Sequence, residues 1–313
     1  MFFSKNNIKS AIITGPTGAV GVALINELIR KGIVVYCVCH KASTRLNNIP
    51  NNSLVHVVFC DMNEYSQLPN MIGERVDAFF HFAWNGTYGA SRNDDVAQIK
   101  NIEYTMEAVK VAKKLSCKVF VGAGSQSEFG PTNEIKHPYD YCNPDNLYGA
   151  AKLSAMKMGK VLAKQFNIRF IWCRIFSLFG PCDGPYTMVM SSITKMLNGE
   201  VCKFTKGDQI WDYIYSKDAA KAFRLVAESG KDGSIYCFAS GQTRRLKEFI
   251  ESMHSIVNPK SEIQLGAIPY YDHQAMNLTA DISNLKEDTG FEPMFSFEAG
   301  IRDLVFEMNK KKQ

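Results

Sequence analysis

Over the first 175 residues the hydrophobic positions fall into two alternating rhythms. Compact apolar runs at 10–13, 34–39, 54–60, 77–84, 118–123 and 169–175 carry little polar alternation, as strands buried on both faces do. Between them, 22–31, 95–115 and 148–165 repeat apolar residues at helical spacing. Strands and helices taking turns predict an α/β fold around a parallel sheet with helices on both faces. After Arg174 the pattern breaks. Residues 176–185 are rich in aromatics, Gly and Pro, and the remainder mixes short segments of both kinds. The expected division is a sheet domain over 1–175 and a smaller mixed α/β lobe over 176–313, with 208–229 returning to the sheet domain.

The turn after the first run reads Thr14-Gly15-Pro16-Thr17-Gly18-Ala19-Val20-Gly21. Strand, glycine turn and helix start in that order let backbone N–H groups and a helix N-terminus face a pyrophosphate. Gly15 makes the turn, Gly18 lets the phosphate approach, and Gly21 lets helix pack on strand. The sheet domain is thus predicted to be a doubly wound parallel Rossmann sheet, with Thr17, Ala19 and Val20 beside the dinucleotide. The second strand ends in Cys39-His40-Lys41, with Arg45 close behind and no acid before Asp61. A carboxylate there would accept from a ribose 2′-hydroxyl, whereas Lys41 and Arg45 attract a 2′-phosphate, so NADP(H) is favoured and NAD(H) is the alternative. Asp61 and Met62 close the third strand, where the carboxylate can accept from the adenine amino group.

Ligands of such sheets lie past the carboxyl ends of the strands. Phe82, Ala83, Trp84 and Asn85 after the fourth strand, Ser125, Gln126 and Ser127 after the fifth, and Ile175 ending the sixth therefore border the expected site. His81 lies inside an apolar run and reads as a hydrogen-bonded core histidine. Tyr148 and Lys152 are four apart on a predicted helix, on one face. A lysine charge near a phenol favours the phenolate and makes it a usable acid or base. Spacing alone decides little, because a chain of this composition contains about one Tyr-x-x-x-Lys by accident. A second one, Tyr213 to Lys217, falls in a strand predicted at 211–215, where residues four apart are far from each other. Position at a helix start beside Ser125 singles out the first pair.

Composition changes this picture only by exclusion. Charged residues are 21% and hydrophobic ones 46%, and the net charge of +5 is spread along the chain apart from Lys310-Lys311-Lys312, so no nucleic-acid partner is expected. No apolar run is long enough to span a bilayer, and Met1-Phe2-Phe3 is followed at once by polar residues, so neither membrane nor export is expected. The nine cysteines include no Cys-x-x-Cys pair. Buried thiols, no metal and a reducing cytoplasm are the expectation.

In this order the motifs resemble the extended short-chain dehydrogenase/reductase family, of the NAD-dependent epimerase/dehydratase type, in its nucleotide-sugar branch. The match covers nearly the whole chain. It comprises the glycine turn, Asp61, His81-Phe82-Ala83, Ser125, Tyr148-x-x-x-Lys152, Arg174 to Pro181, and Gly207 to Tyr215 with Asp218. The resemblance implies that Tyr148 exchanges the proton at a sugar oxygen, that Lys152 binds the nicotinamide ribose and lowers the Tyr148 pKa, and that Ser125 holds the reacting oxygen. It also implies a homodimer through the helices that begin near Asp95 and Tyr148.

Three departures bear on the substrate. Dehydratases of this branch follow the catalytic Ser or Thr with an Asp-Glu pair, but Ser125 is followed by Gln126-Ser127, with Glu128 offset. Ser177 stands where many epimerases carry asparagine, and Trp211 where they carry an arginine on the substrate diphosphate, leaving Lys206, Arg244 and Arg245 as other candidates for that grip. The expected activity is reduction of a 4-keto nucleotide sugar, a CDP- or dTDP-linked 4-keto-6-deoxyhexose, for surface polysaccharide synthesis. A 4-epimerase that retains NAD is the nearest alternative, and a non-catalytic dinucleotide sensor the remote one.

Overall fold

The computed structural model describes residues 7–271 and 274–310; Met1-Phe2-Phe3 and Lys311-Lys312 fall outside them. The chain runs β1 (Ser10–Thr14), α1 (Ala19–Arg30), β2 (Val34–Cys39), β3 (Val55–Phe59), α2 (Leu68–Ile72), β4 (Ala78–His81), α3 (Asp95–Lys114), β5 (Val119–Ser125), α4 (Leu147–Gln165) and β6 (Arg169–Ile175). These strands pair in parallel, and a seventh, β11 (Ile235–Phe238), joins beyond β6 to give the order β11-β6-β5-β4-β1-β2-β3. The fold is the expected α/β architecture. Every residue of β5 is buried, which is why its sequence shows no polar alternation.

Each face of the sheet has its own core. On one, Leu24, Ile25 and Leu28 of α1 meet Ala219, Phe223 and Val226 over Ile13, Phe80 and Val121. On the other, Ala108, Val109 and Ala112 of α3 meet Ala155 and Met156 of α4 over Ile12, Phe79, Phe120 and Trp172. Both helices of that second face begin with a side-chain cap: Asp94 accepts from the Ala97 N–H, and Asn146 from the Gly149 N–H. Such caps satisfy N–H groups that the first turn leaves without partners, and they fix where α4, and so Tyr148, begins.

Beyond β6 the chain continues through β7 (Ser177–Phe179), α5 (Met188–Leu197), β8 (Cys202–Lys203), β9 (Ile210–Trp211), β10 (Tyr213–Tyr215), α6 (Ser216–Ser229), β11 (Ile235–Phe238), β12 (Arg244–Arg245), α7 (Leu246–Val257), β13 (Ile263–Gln264), β14 (Asn277–Leu278), α8 (Ser283–Thr289) and α9 (Phe297–Lys310). Residues 188–204, 249–263 and 295–308 build a separate lobe core around Ile193, Phe249 and Phe297. Helix α6 packs against α1, and β11 pairs with β6 in the main sheet. Residues 216–229 and 235–238 therefore lie against or within the main sheet. The expected single strand at 211–215 is two strands in different sheets: β9 pairs with β12 and β14, and β10 with β7. Asp212 between them is fully buried and accepts from the Ser240 and Gly241 N–H groups. Asp218 likewise holds the N–H groups of Met294 and Phe295. These two acids therefore anchor loops.

Candidate active site

The glycine turn forms a cradle at the carboxyl end of β1. Gly15 adopts φ +69°, and a Cβ there would meet the Ala83 nitrogen at 2.9 Å; one on Gly21 would lie 2.5 Å from the Gly15 oxygen. At Gly18 a Cβ would find nothing nearer than 3.9 Å. Space is thus kept over Gly18 while Gly15 and Gly21 are packed tight. Gly18 caps α1 without a side-chain hydrogen bond, and the first turn carries no acid. Unsatisfied N–H groups and the positive end of a twelve-residue helix suit a phosphate, so the residues present fit a dinucleotide.

A cleft of about 470 Å³ opens from this cradle, lined by Gly15, Thr17, Gly18, His40, Ser43, Arg45, Asp61, Met62, Phe82, Ala83, Trp84 and Asn85. Ala19, Val20 and Gly21 lie behind it in the first turn of α1, and Ile175, the last residue of β6, packs against the core. Lys41 is directed elsewhere. Its ammonium pairs with Glu64 at 2.6 Å and its N–H donates to Asp61. Arg45 lines the cleft and donates to the Cys182 carbonyl across it. Tyr88 and Tyr186 stack with ring centres 3.8 Å apart, so the loop before α5 is also met by the loop after β4.

His81 is buried, with Nδ1 at 2.9 Å from the Thr14 hydroxyl and Nε2 at 3.2 Å from that of Thr105. Burial, and then the Lys152 charge, pull its pKa down to about 3. It is the core histidine that its apolar setting predicts.

Ser125 ends β5, and its hydroxyl accepts from the Ser127 N–H at 3.2 Å. Tyr148 lies in the first turn of α4. Burial pushes its phenol upward, while the Ser125 hydroxyl and the Arg92 charge pull it down. Lys152 is buried, donates to the Ala123 carbonyl at 2.7 Å, and sits 3.6 Å from the centre of the Trp84 ring. Burial draws its pKa down to about 7 against the pull of Glu128. Its ammonium is 5.8 Å from the Tyr148 ring centre. The Trp84 indole is fixed by a 2.9 Å bond to Gln98.

Two participants escaped the sequence reading. Arg92, in the turn Gly89–Asn93, stacks over the Tyr148 ring at 4.9 Å and donates to the Ser127 hydroxyl at 2.6 Å. Arg174 was visible only as part of a motif. It pairs at 2.8 Å with Glu128, whose other oxygen accepts from the Trp172 indole and the Ser125 N–H. Glu128 is fully buried. It is therefore a support beneath Ser125, with no face turned to a ligand.

Ser177 and Trp211 come together, the indole donating to the hydroxyl at 2.6 Å. Because Ser125 pairs with Ile175 in the main sheet, Ser177 follows two residues past the strand end beside Ser125. Arg244 does not supply the missing grip: its guanidinium pairs with Glu298 and stacks on Phe249. Lys206 and Arg245 are exposed. Among the described residues no group of three His, Cys, Asp or Glu side chains gathers to hold a metal, and no helix is long and apolar enough to cross a membrane.

A glycine cradle at a sheet edge, with a serine, a tyrosine and a lysine gathered past the next strands, defines a Rossmann-type α/β protein. The model of the NAD dependent epimerase/dehydratase family matches residues 11–238, and the chain belongs to that family. Its relatives include nucleotide-sugar-modifying enzymes. CDP-abequose synthase of Salmonella typhimurium is 24% identical over 302 residues, which cover 94% of this chain and 96% of that protein. A trifunctional UDP-glucose 4,6-dehydratase/UDP-4-keto-6-deoxy-D-glucose 3,5-epimerase/UDP-4-keto-L-rhamnose-reductase of Arabidopsis thaliana is 23% identical over 312 residues, but the chain spans 46% of its length. The solved UDP-N-acetylglucosamine 4-epimerase of Methanobrevibacter ruminantium, in complex with UDP-N-acetylmuramic acid, has TM-score 0.88 and 21% identity, covering 98% of this chain and 100% of that one. UDP-glucuronic acid 4-epimerase of Bacillus cereus, in complex with NAD, has TM-score 0.83 and 20% identity, covering 96% and 97%. These structural likenesses speak for the fold.

Proposed function

We propose that the enzyme reduces the ketone of a 4-keto-6-deoxyhexose linked to a nucleoside diphosphate, with NADPH as the reductant. The observation that carries this reading is the state of Glu128. The positions after Ser125 hold Gln126 and Ser127, and the one nearby carboxylate is buried in a pair with Arg174. Among the described residues no acid is left free after Ser125 to expel water, which argues against a dehydratase. Similarity over full length to a CDP-abequose synthase supports a CDP-linked sugar.

In this reading Ser125 donates a hydrogen bond to the ketone oxygen and Tyr148 gives it the phenolic proton, which is regained from solvent. Lys152 and Trp84 hold the nicotinamide ribose, and Ser177 and Trp211 the sugar side. His40, Ser43 and Arg45 seat the 2′-phosphate, since Lys41 is engaged by Glu64. The bound cofactor supplies the hydride. A homodimer through α3 and α4 accompanies it, supported by the exposed Val96, Ile99, Met158 and Val161 on those helices.

The bridge from Arg45 to the Cys182 carbonyl favours a second reading, a 4-epimerase that keeps NAD under this crossing. The test is a panel of CDP- and dTDP-4-keto sugars assayed for NADPH oxidation, with product configuration read by NMR. Net oxidation supports the reductase. A stoichiometric, non-dialysable NAD and no net oxidation would overturn it in favour of the epimerase.

A further inference from the structure

The cation expected to tune Tyr148 is Lys152, yet its ammonium is spent on the Ala123 carbonyl and the Trp84 ring face. With its pKa drawn down to about 7 by burial, it carries only a fractional charge at neutral pH. Arginine, in contrast, stays protonated at any pH a protein survives. Arg92 stacks its guanidinium on the Tyr148 ring at 4.9 Å, and among the described residues no carboxylate pairs with it. Its Nε is buried without an acceptor. The turn that carries it is firmly held. Ser91 and Gly86 carbonyls accept from Gln98, and Asn93 accepts from the Leu147 N–H at the start of α4. At its far end, Arg92 reaches the Ser127 hydroxyl, and the Ser127 N–H in turn donates to Ser125. One side chain thus touches the phenol and, through a single relay, the serine.

We infer that Arg92 is a positioning residue for proton transfer, which holds Tyr148 and Ser125 in register and supplies the permanent positive charge that favours the phenolate. This rests on the reading of Tyr148 as the proton donor. The groups facing the phenol are Arg92 from the turn after β4, Ser125 and Glu128 from the end of β5, and Lys152 from its own helix. Glu128 already has Arg174 as its partner, so Arg92 is the charge that no carboxylate cancels. An opposite charge at this distance shifts a titration by about one pH unit or more.

The test places a fluorotyrosine at position 148, whose phenol ionises in an accessible range, and follows its fluorine NMR signal against pH in the ligand-free protein. Arg92→Met is expected to raise the midpoint by about one pH unit, and Arg92→Lys, which keeps a charge, by distinctly less. An unmoved midpoint in Arg92→Met, or equal shifts in the two variants, would overturn the proposal. This measurement needs no substrate. If wild type turns over no keto sugar, the reductase reading fails while the Arg92 assignment is still judged by the titration. With an active substrate, the limb of the kcat/KM profile set by Tyr148 should move with the midpoint in Arg92→Met. A uniform loss at every pH with the limb in place would reduce Arg92 to a structural role.

Discussion

The Trp211 indole donates to the Ser177 hydroxyl at 2.6 Å, which joins two of the three departures from the family pattern into one unit. Trp211 also pairs in register with Arg244 on one side and Leu278 on the other. The serine therefore fixes the angle of a ring that the strands have already placed.

Ser177→Ala removes that acceptor and loosens the indole. If the pair lines the sugar side, KM for the nucleotide sugar should rise roughly fivefold, the worth of about 1 kcal/mol, with KM for the cofactor unchanged. Equal rises in both would place the pair elsewhere.

The cofactor preference should depend on Arg45 far more than on Lys41. Arg45 lines the cleft, whereas Lys41 is held by Glu64. Steady-state kinetics of Arg45→Ala should show a larger increase in KM for NADPH than for NADH, and Lys41→Ala should change neither by much. A dominant effect of Lys41→Ala would mean that the Glu64 pair opens when cofactor binds.

Glu128→Gln should cost stability before it costs chemistry. It leaves the Arg174 guanidinium, only 2% exposed, without its counter-charge, and breaking such a pair costs about 3–5 kcal/mol. Urea unfolding should show the loss. If stability held and only turnover fell, Glu128 would belong to the reaction after all.

Lys152 makes the fold pH-sensitive in an uncommon direction. Its value of about 7 lies below the ordinary 10.5, so between those limits the unfolded chain binds more protons and stability rises with pH. The cost of burying the charge is complete below pH 7 and gone above the ordinary value. Lys152→Met should raise the melting midpoint by roughly 3 °C at pH 7, and the gain should fade toward pH 10. A gain of the same size at both pH values would contradict this account.

The sheet domain was legible because its strands, apart from the exposed edge strand β3, are buried on both faces and leave long apolar runs. β11 was not, because Ile235–Phe238 is only four residues long and its partner, β6, lies far back in the chain. The glycine cradle and the Ser125, Tyr148 and Lys152 constellation could be read from order and context. Their electrostatics could not. Whether Glu128 faces a ligand depends on Arg174, 46 residues away, and whether Lys41 is available depends on Glu64. Arg92 carried no signal in a loop of Ser, Asn and Asp, since its meaning comes from a stack on Tyr148 that only the folded chain creates. Ser177 and Trp211 were noticed as departures, but not as partners.

The chain has three tryptophans, and each is seated at a different station: Trp84 over Lys152, Trp172 against Glu128, and Trp211 on Ser177. Its intrinsic fluorescence is therefore a built-in set of local probes. Variants that keep one tryptophan at a time would report separately on the surroundings of Lys152, the buried ion pair and Ser177, with no label attached.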